Sequence, residues 1–183
     1  MDDVAQIRSA LRCAARSAWT ALRAERPDET FYYFGLWTTP LAHRPAPTAC
    51  SFEGLERAVE HCRAEGVEVA ADELRWAVND SPYDLYGDSL FVEVELLFDA
   101  FDGPYDRTPE LTAALLDAMI GALADLDAEG FFGGGAARDA VVLNVTTPGH
   151  DTDVDLLASA RRINPPTALV RYESDVAPDG GVG

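Results

Sequence analysis

From residue 3 to residue 25, Val4, Ile7, Leu11, Ala14, Ala15, Ala18 and Leu22 recur at three- and four-residue steps. That spacing gathers side chains on one face of a helix, and Pro27 closes the pattern because its ring cannot continue one. The next segment, Thr30-Phe-Tyr-Tyr-Phe-Gly-Leu-Trp-Thr-Thr, is dense in aromatic and β-branched residues and ends at Pro40. It predicts a strand central to a sheet. A loop through Pro45 and Pro47 leads to Ser51, an N-cap for a helix over about 52–65 that closes at Gly66.

Leu74-Arg-Trp-Ala-Val reads as a second short strand, followed by a turn-rich stretch from Asn79 to Asp88. Residues 89–101 fit two periods. Val92, Val94 and Leu96 alternate with glutamates, whereas Leu90, Val94, Leu97 and Phe101 share a helical stripe, and we read the segment as helix. Thr108-Pro-Glu opens a helix from 109 to about 128 with core face Leu111, Leu115, Ala118, Met119, Ala122 and Leu126, and Gly130 suits its C-terminal turn. Residues 140–146 form another predicted strand. A helix capped by Asp151 or Thr152 runs to Ile163, Pro165 and Pro166 break it, and a short amphipathic segment covers 167–176. Without strict strand–helix alternation, this order predicts an α+β fold: one small, mostly antiparallel sheet flanked by amphipathic helices. One domain over 1–177 with a disordered tail at 178–183 fits a length of 183 residues.

Charge changes the picture because it is local. Residues 64–130 carry seventeen Asp and Glu against two Arg, or −15 of the chain's −18, while residues 1–63 are neutral. An anionic face repels phosphates and anionic lipid, so nucleic acid and membrane surfaces are poor partners. It favours a basic protein, or serves solubility alone. Helix 1 carries the opposite sign: Arg8, Arg12, Arg16 and Arg23 form a stripe that either pairs with carboxylates of the same molecule or takes an anionic ligand. The start of the chain lacks a signal-peptide pattern, and three cysteines, Cys13, Cys50 and Cys62, read as reduced thiols of a cytoplasmic protein.

No motif fixes a reaction. Gly133-Gly-Gly lacks the Lys-Ser/Thr of a phosphate loop and lies between helix and strand in the wrong order, so it reads as a turn with Arg138 pairing a carboxylate. Neither Asp80, Asp84 and Asp88 nor Asp99, Asp102 and Asp106 has calcium-loop spacing, and Asp151, Asp153 and Asp155 lack the later loop positions. His43, His61 and His150 make no zinc or nucleophile signature with the cysteines. We therefore expect no cofactor and no metal.

Several segments together resemble a bacterial family catalogued as domain of unknown function 4303. They are Phe31-Tyr-Tyr-Phe-Gly-Leu-Trp-Thr, Glu53-Gly-Leu-Glu-Arg, Leu74-Arg-Trp, Leu126-Asp-Ala-Glu-Gly-Phe-Phe-Gly, Arg138, and Ser159-Ala-Arg-Arg-Ile-Asn-Pro-Pro. The resemblance implies a single α+β domain and no established activity. In size and style the family is similar to small proteins encoded near bacterial toxin systems, including SUKH-like immunity proteins. The reading is thus a non-catalytic, acidic protein-binding domain of the immunity type. Asp80, Tyr83, Asp84, Tyr86, Asp88, Asp99, Asp102 and Asp106 are its expected contact residues. The alternatives are a carboxylate-dependent hydrolase or transferase and a self-associating structural domain.

Overall fold

The computed structural model describes residues 2–147 and 153–176. Helix α1 (Asp2–Glu25) buries its predicted stripe and Trp19 as well, which lies 1% exposed against Phe34 and Phe132 with ring centroids 5.2 and 5.8 Å away. Strand β1 (Phe31–Trp37) is the middle of three. It pairs antiparallel with β2 (Ala46–Ser51) and parallel with β3 (Val142–Thr146), giving the order β2-β1-β3. The fold is α+β, with a mixed sheet of one antiparallel and one parallel pair.

The remaining elements are α2 (Phe52–Ala64), α3 (Ala71–Leu74), α4 (Val92–Asp99), α5 (Pro109–Ala128), α6 (Ala136–Asp139), α7 (Asp153–Ile163) and α8 (Pro166–Val176). Phe34, Leu36, Leu143 and Val145 face α1, α4 and α5, and this side holds most of the buried apolar volume. Tyr32, Tyr33, Cys50 and Val142 face a second, smaller core with Leu55, Ala160, Leu169 and Tyr172. Among the described residues no helix is long and apolar enough to cross a membrane. The cap proposed at Asp151 or Thr152 and the tail at 178–183 lie outside the described residues.

Three local expectations are corrected. Residues 46–51, read as loop because of Pro47, form β2: it is an edge strand, where a missing N–H interrupts no ladder. Leu74 to Val78 is no strand. It contains the end of α3 and leads into a 3-10 turn at Val78–Asp80. This loop instead covers the edge of β2 with isolated hydrogen bonds, the Thr48 hydroxyl donating to Val78 O and Leu85 N–H to Pro47 O at 2.9 Å. Leu90 leaves the predicted stripe because residues Asp88–Phe91 are a 3-10 turn, whose tighter winding turns Phe91 inward instead.

Arg138 joins four elements. Its guanidinium, 7% exposed, pairs with Asp127 near the end of α5 and donates to Val141 O (2.6 Å), Ile163 O (3.4 Å) and Asn164 Oδ1 (3.0 Å). Asn164 in turn accepts from Leu143 N–H (2.8 Å) and donates to Leu143 O (2.6 Å), which fixes β3 against the end of α7. A buried charge with every partner in place is tolerated, and one stripped of its partner is not. We expect Arg138→Ala to cost about 3–5 kcal/mol in urea unfolding, with Arg138→Lys recovering less than half, because one ammonium cannot reproduce the planar fork. A loss below about 1 kcal/mol, the worth of an exposed pair, contradicts this role.

Candidate functional site

The arginine stripe of α1 lies along α5. Arg8 holds Asp125 through two bonds of 2.7 and 2.6 Å, Arg12 donates to Glu129 at 2.6 Å, and Arg16 pairs with the same Glu129. Glycine at 121 lets Arg8 cross α5, since a Cβ there would come within 2.8 Å of the guanidinium. Arg23 is different: it donates to Phe131 O at 3.0 Å and covers the Phe131 and Phe34 rings at 4.8 and 4.9 Å. Burial lowers its pKa. The four side chains thus face carboxylates, a carbonyl and aromatic rings of their own chain.

Of the expected contact residues, some are inside and some outside. Tyr83 is 6% exposed. Its hydroxyl donates to Glu29 and accepts from Arg57 (2.7 Å), and Ser51 donates to the same carboxylate. Tyr86 is half-buried and donates to Glu25 at 2.6 Å. Asp88 is held by Arg44 at 2.8 Å, and Glu95 pairs with that same Arg44. Asp84 accepts from the Trp37 indole N–H at 2.7 Å; burial, reinforced by Asp80 and Asp88, pushes its carboxyl up. Asp80, Asp99, Asp102 and Asp106 are exposed and have no ion pair within 4.0 Å among the described residues.

Tyr105 already stood out in the sequence as an aromatic among these acids, whereas the aliphatics Val92 and Leu96 did not. Val92 is 53% exposed, Leu96 66%, and Tyr105 84%. On a helical wheel Val92, Leu96 and Asp99 fall within about 60° of one another, so α4 offers one outward strip of two aliphatics and an acid. The signal was present in the helical reading itself, since Val92 and Leu96 lie off the stripe of Leu90, Val94, Leu97 and Phe101.

Next to this strip, His43, Arg44, Asp99, Asp102 and Arg107 line a depression of about 490 Å3. Carboxylates and arginines converge here, as a catalytic reading requires. Arg107, however, is bound to main-chain carbonyls of Ala42, Phe98 and Asp102, so it clamps the loop after α4. His43 Nε2 is sealed from solvent and has no hydrogen-bond partner. No group of three or more His, Cys, Asp or Glu among the described residues could hold a metal ion. All three thiols are free, and burial raises that of Cys50 to about 11, too high for a nucleophile at neutral pH.

The architecture is that of a small α+β domain with an acidic, partly apolar outer strip. The chain belongs to the family described as domain of unknown function (DUF4303), whose sequence model matches residues 11–165. No curated protein and no solved structure matches it. The segments that carry the likeness meet in space: Asp127, Arg138 and Asn164 share one hydrogen-bonded junction, and Trp76 packs edge-on against Tyr32 and Tyr33.

The Glu29 cluster yields a pH-dependent expectation. Burial opposes ionisation of Glu29, but hydrogen bonds from Ser51, Tyr83 and Arg57 outweigh it and hold the carboxyl below the usual glutamate range. A depressed folded-state pKa gives stability that is present above the unfolded value and lost as pH falls through the folded one. Glu29→Gln should therefore be about 1–3 kcal/mol less stable than the parent at pH 7, a gap that narrows as pH drops below about 4. Unfolding titrations at several pH values measure it, and a gap independent of pH contradicts the account.

Proposed function

We propose that this protein is a non-catalytic binding domain that docks a basic protein through the outer surface of residues 80–106, in a pairing of the toxin–immunity type. One observation carries the reading: α4 exposes Val92 and Leu96 on the same side as Asp99, with Glu93, Asp102 and Asp106 nearby and no cation neutralising them within ion-pair distance among the described residues. Solvated aliphatics among exposed acids, of which Asp99 and Asp102 interact with Arg107 only at a distance beyond an ion pair, match a partner that brings both apolar contact and positive charge. Tyr105 adds an exposed aromatic of the kind that anchors interfaces. A second copy of this chain is disfavoured on the same strip, because it would oppose acid to acid. The family resemblance to small proteins encoded near toxin systems supports the immunity-type pairing.

The hydrolase or transferase reading rests on the depression around Asp99, Asp102 and Arg107. It requires His43 or a carboxylate to reach a substrate, and the sealed Nε2 and carbonyl-bound Arg107 oppose that. If it holds, Asp102→Asn abolishes a hydrolytic activity found in an ester and phosphoester panel.

For docking, a photo-crosslinking residue placed at Leu96, with Val170 (70% exposed on α8) as control, separates the outcomes in the native host. Position 96 should give a discrete adduct with a basic polypeptide, and position 170 none. Equal labelling at both positions, or an acidic adduct, overturns the proposal.

A further inference from the structure

At the carboxyl ends of the parallel strands β1 and β3, between the Val78–Asp80 turn and α8, lies a cavity of about 230 Å3. Such strand ends are where sheets of parallel strands commonly receive ligands. Trp76 and Tyr172 form its aromatic wall, with ring centroids 4.9 Å apart and planes at 82°. Tyr172 is held from behind by Asn144, whose amide donates to its hydroxyl at 2.8 Å. The wall is therefore fixed before any ligand arrives.

The floor is polar and unsatisfied. Thr146, the last residue of β3, lines the cavity at 4% exposure, and its Oγ1 has no hydrogen-bond partner. The Tyr33 ring lies across Gly35, where a Cβ would come within 2.6 Å of the phenol oxygen, and this brings the Tyr33 hydroxyl beside Thr146. The two hydroxyls lie close enough to interact, and neither makes a hydrogen bond of full geometry with any group among the described residues. Buried hydroxyls without partners are costly and rare, and a ligand with an N–H donor would satisfy Thr146, the one of the two that lines the cavity.

The mouth is acidic. Asp80 lines it without an ion pair, Asp84 stands close enough for their charges to interact, and none of the described lining residues is basic. Aromatic rings, an unneutralised carboxylate and hydroxyl acceptors together select a cation that carries N–H donors and an apolar stem. We infer that this cavity binds an alkylguanidinium or alkylammonium group, with the stem against Trp76 and Tyr172, the N–H donors toward Thr146 and the charge beside Asp80. The group is supplied either by a free small molecule or by an Arg or Lys side chain of a protein. The inference shares Asp80 with the proposed docking surface but does not use the α4 strip, and it survives that strip's failure.

The test is an amide-resolved NMR titration of the full chain with butylguanidinium, and with N-butylurea as an uncharged analogue of similar shape. Butylguanidinium should saturate shifts at Trp76, Thr146 and Tyr172, with N-butylurea at least about fivefold weaker. Asp80→Asn, a surface change that leaves the fold intact, should weaken butylguanidinium about fivefold, and Thr146→Val about threefold. A capped Gly-Arg-Gly peptide separates the sources: tighter binding than butylguanidinium assigns the site to a protein side chain, weaker binding to a free molecule. Equal binding of the urea, shifts that map elsewhere, or no saturation overturns the inference.

Discussion

The buried Arg138 junction is the constraint on which the arrangement depends. β3 reaches β1 only after most of the chain has intervened, and a parallel neighbour cannot be set by a tight turn. Its position is fixed instead by side chains. Asp127 at the end of α5, Arg138 in α6 and Asn164 at the end of α7 grip the start of β3 through its backbone at Val141 and Leu143. With β3 in place, the second core closes and Tyr33, Asn144, Thr146 and Tyr172 come together at the strand ends.

The same arginine chemistry sorts the acidic segment into an inner and an outer part. Asp125, Asp127 and Glu129 lie on the last turns of α5 and are all matched, by Arg8, Arg138, Arg12 and Arg16. Most of these are exposed pairs, each worth little in stability, but together they align α1 on α5 and mask charge. Asp88 and Glu95 are matched by Arg44. Eleven acids of residues 64–130 have no ion pair among the described residues: Glu65, Glu68, Asp72 and Glu73 around α3, and Asp80, Asp84, Glu93, Asp99, Asp102, Asp106 and Glu110 further on, where exposed apolar side chains stand among them. The net charge of −18 therefore overstates the available acidic surface.

Much of the fold was legible because it rests on local chemistry. The stripe of α1, the Ser51 cap whose Oγ accepts from Gly54 N–H at 2.9 Å, and the Thr108-Pro-Glu start of α5 each declare themselves within a few residues. The failures are places where distant contacts decide. Pro47 argued against a strand until β2 proved to be an edge, and Leu74 to Val78 looked extended but lies across the outer edge of β2 as short helical turns with only isolated hydrogen bonds to it. Tyr83 lay among acids and read as an interface anchor, yet Glu29 and Arg57, remote in sequence, draw it inside. Trp76, Thr146 and Tyr172 could not be grouped from the sequence, since only the parallel pairing brings them to one cavity.

Association kinetics with the crosslinked basic partner test the central claim most directly. If the unmatched acids steer docking, the association rate falls steeply as salt rises, and reversing Asp99, Asp102 and Asp106 to lysine slows it at least about tenfold at low salt while folding stability is unchanged. An association rate that is insensitive to salt and unchanged by the triple reversal would contradict the account and leave the acidic strip as a solubilising surface.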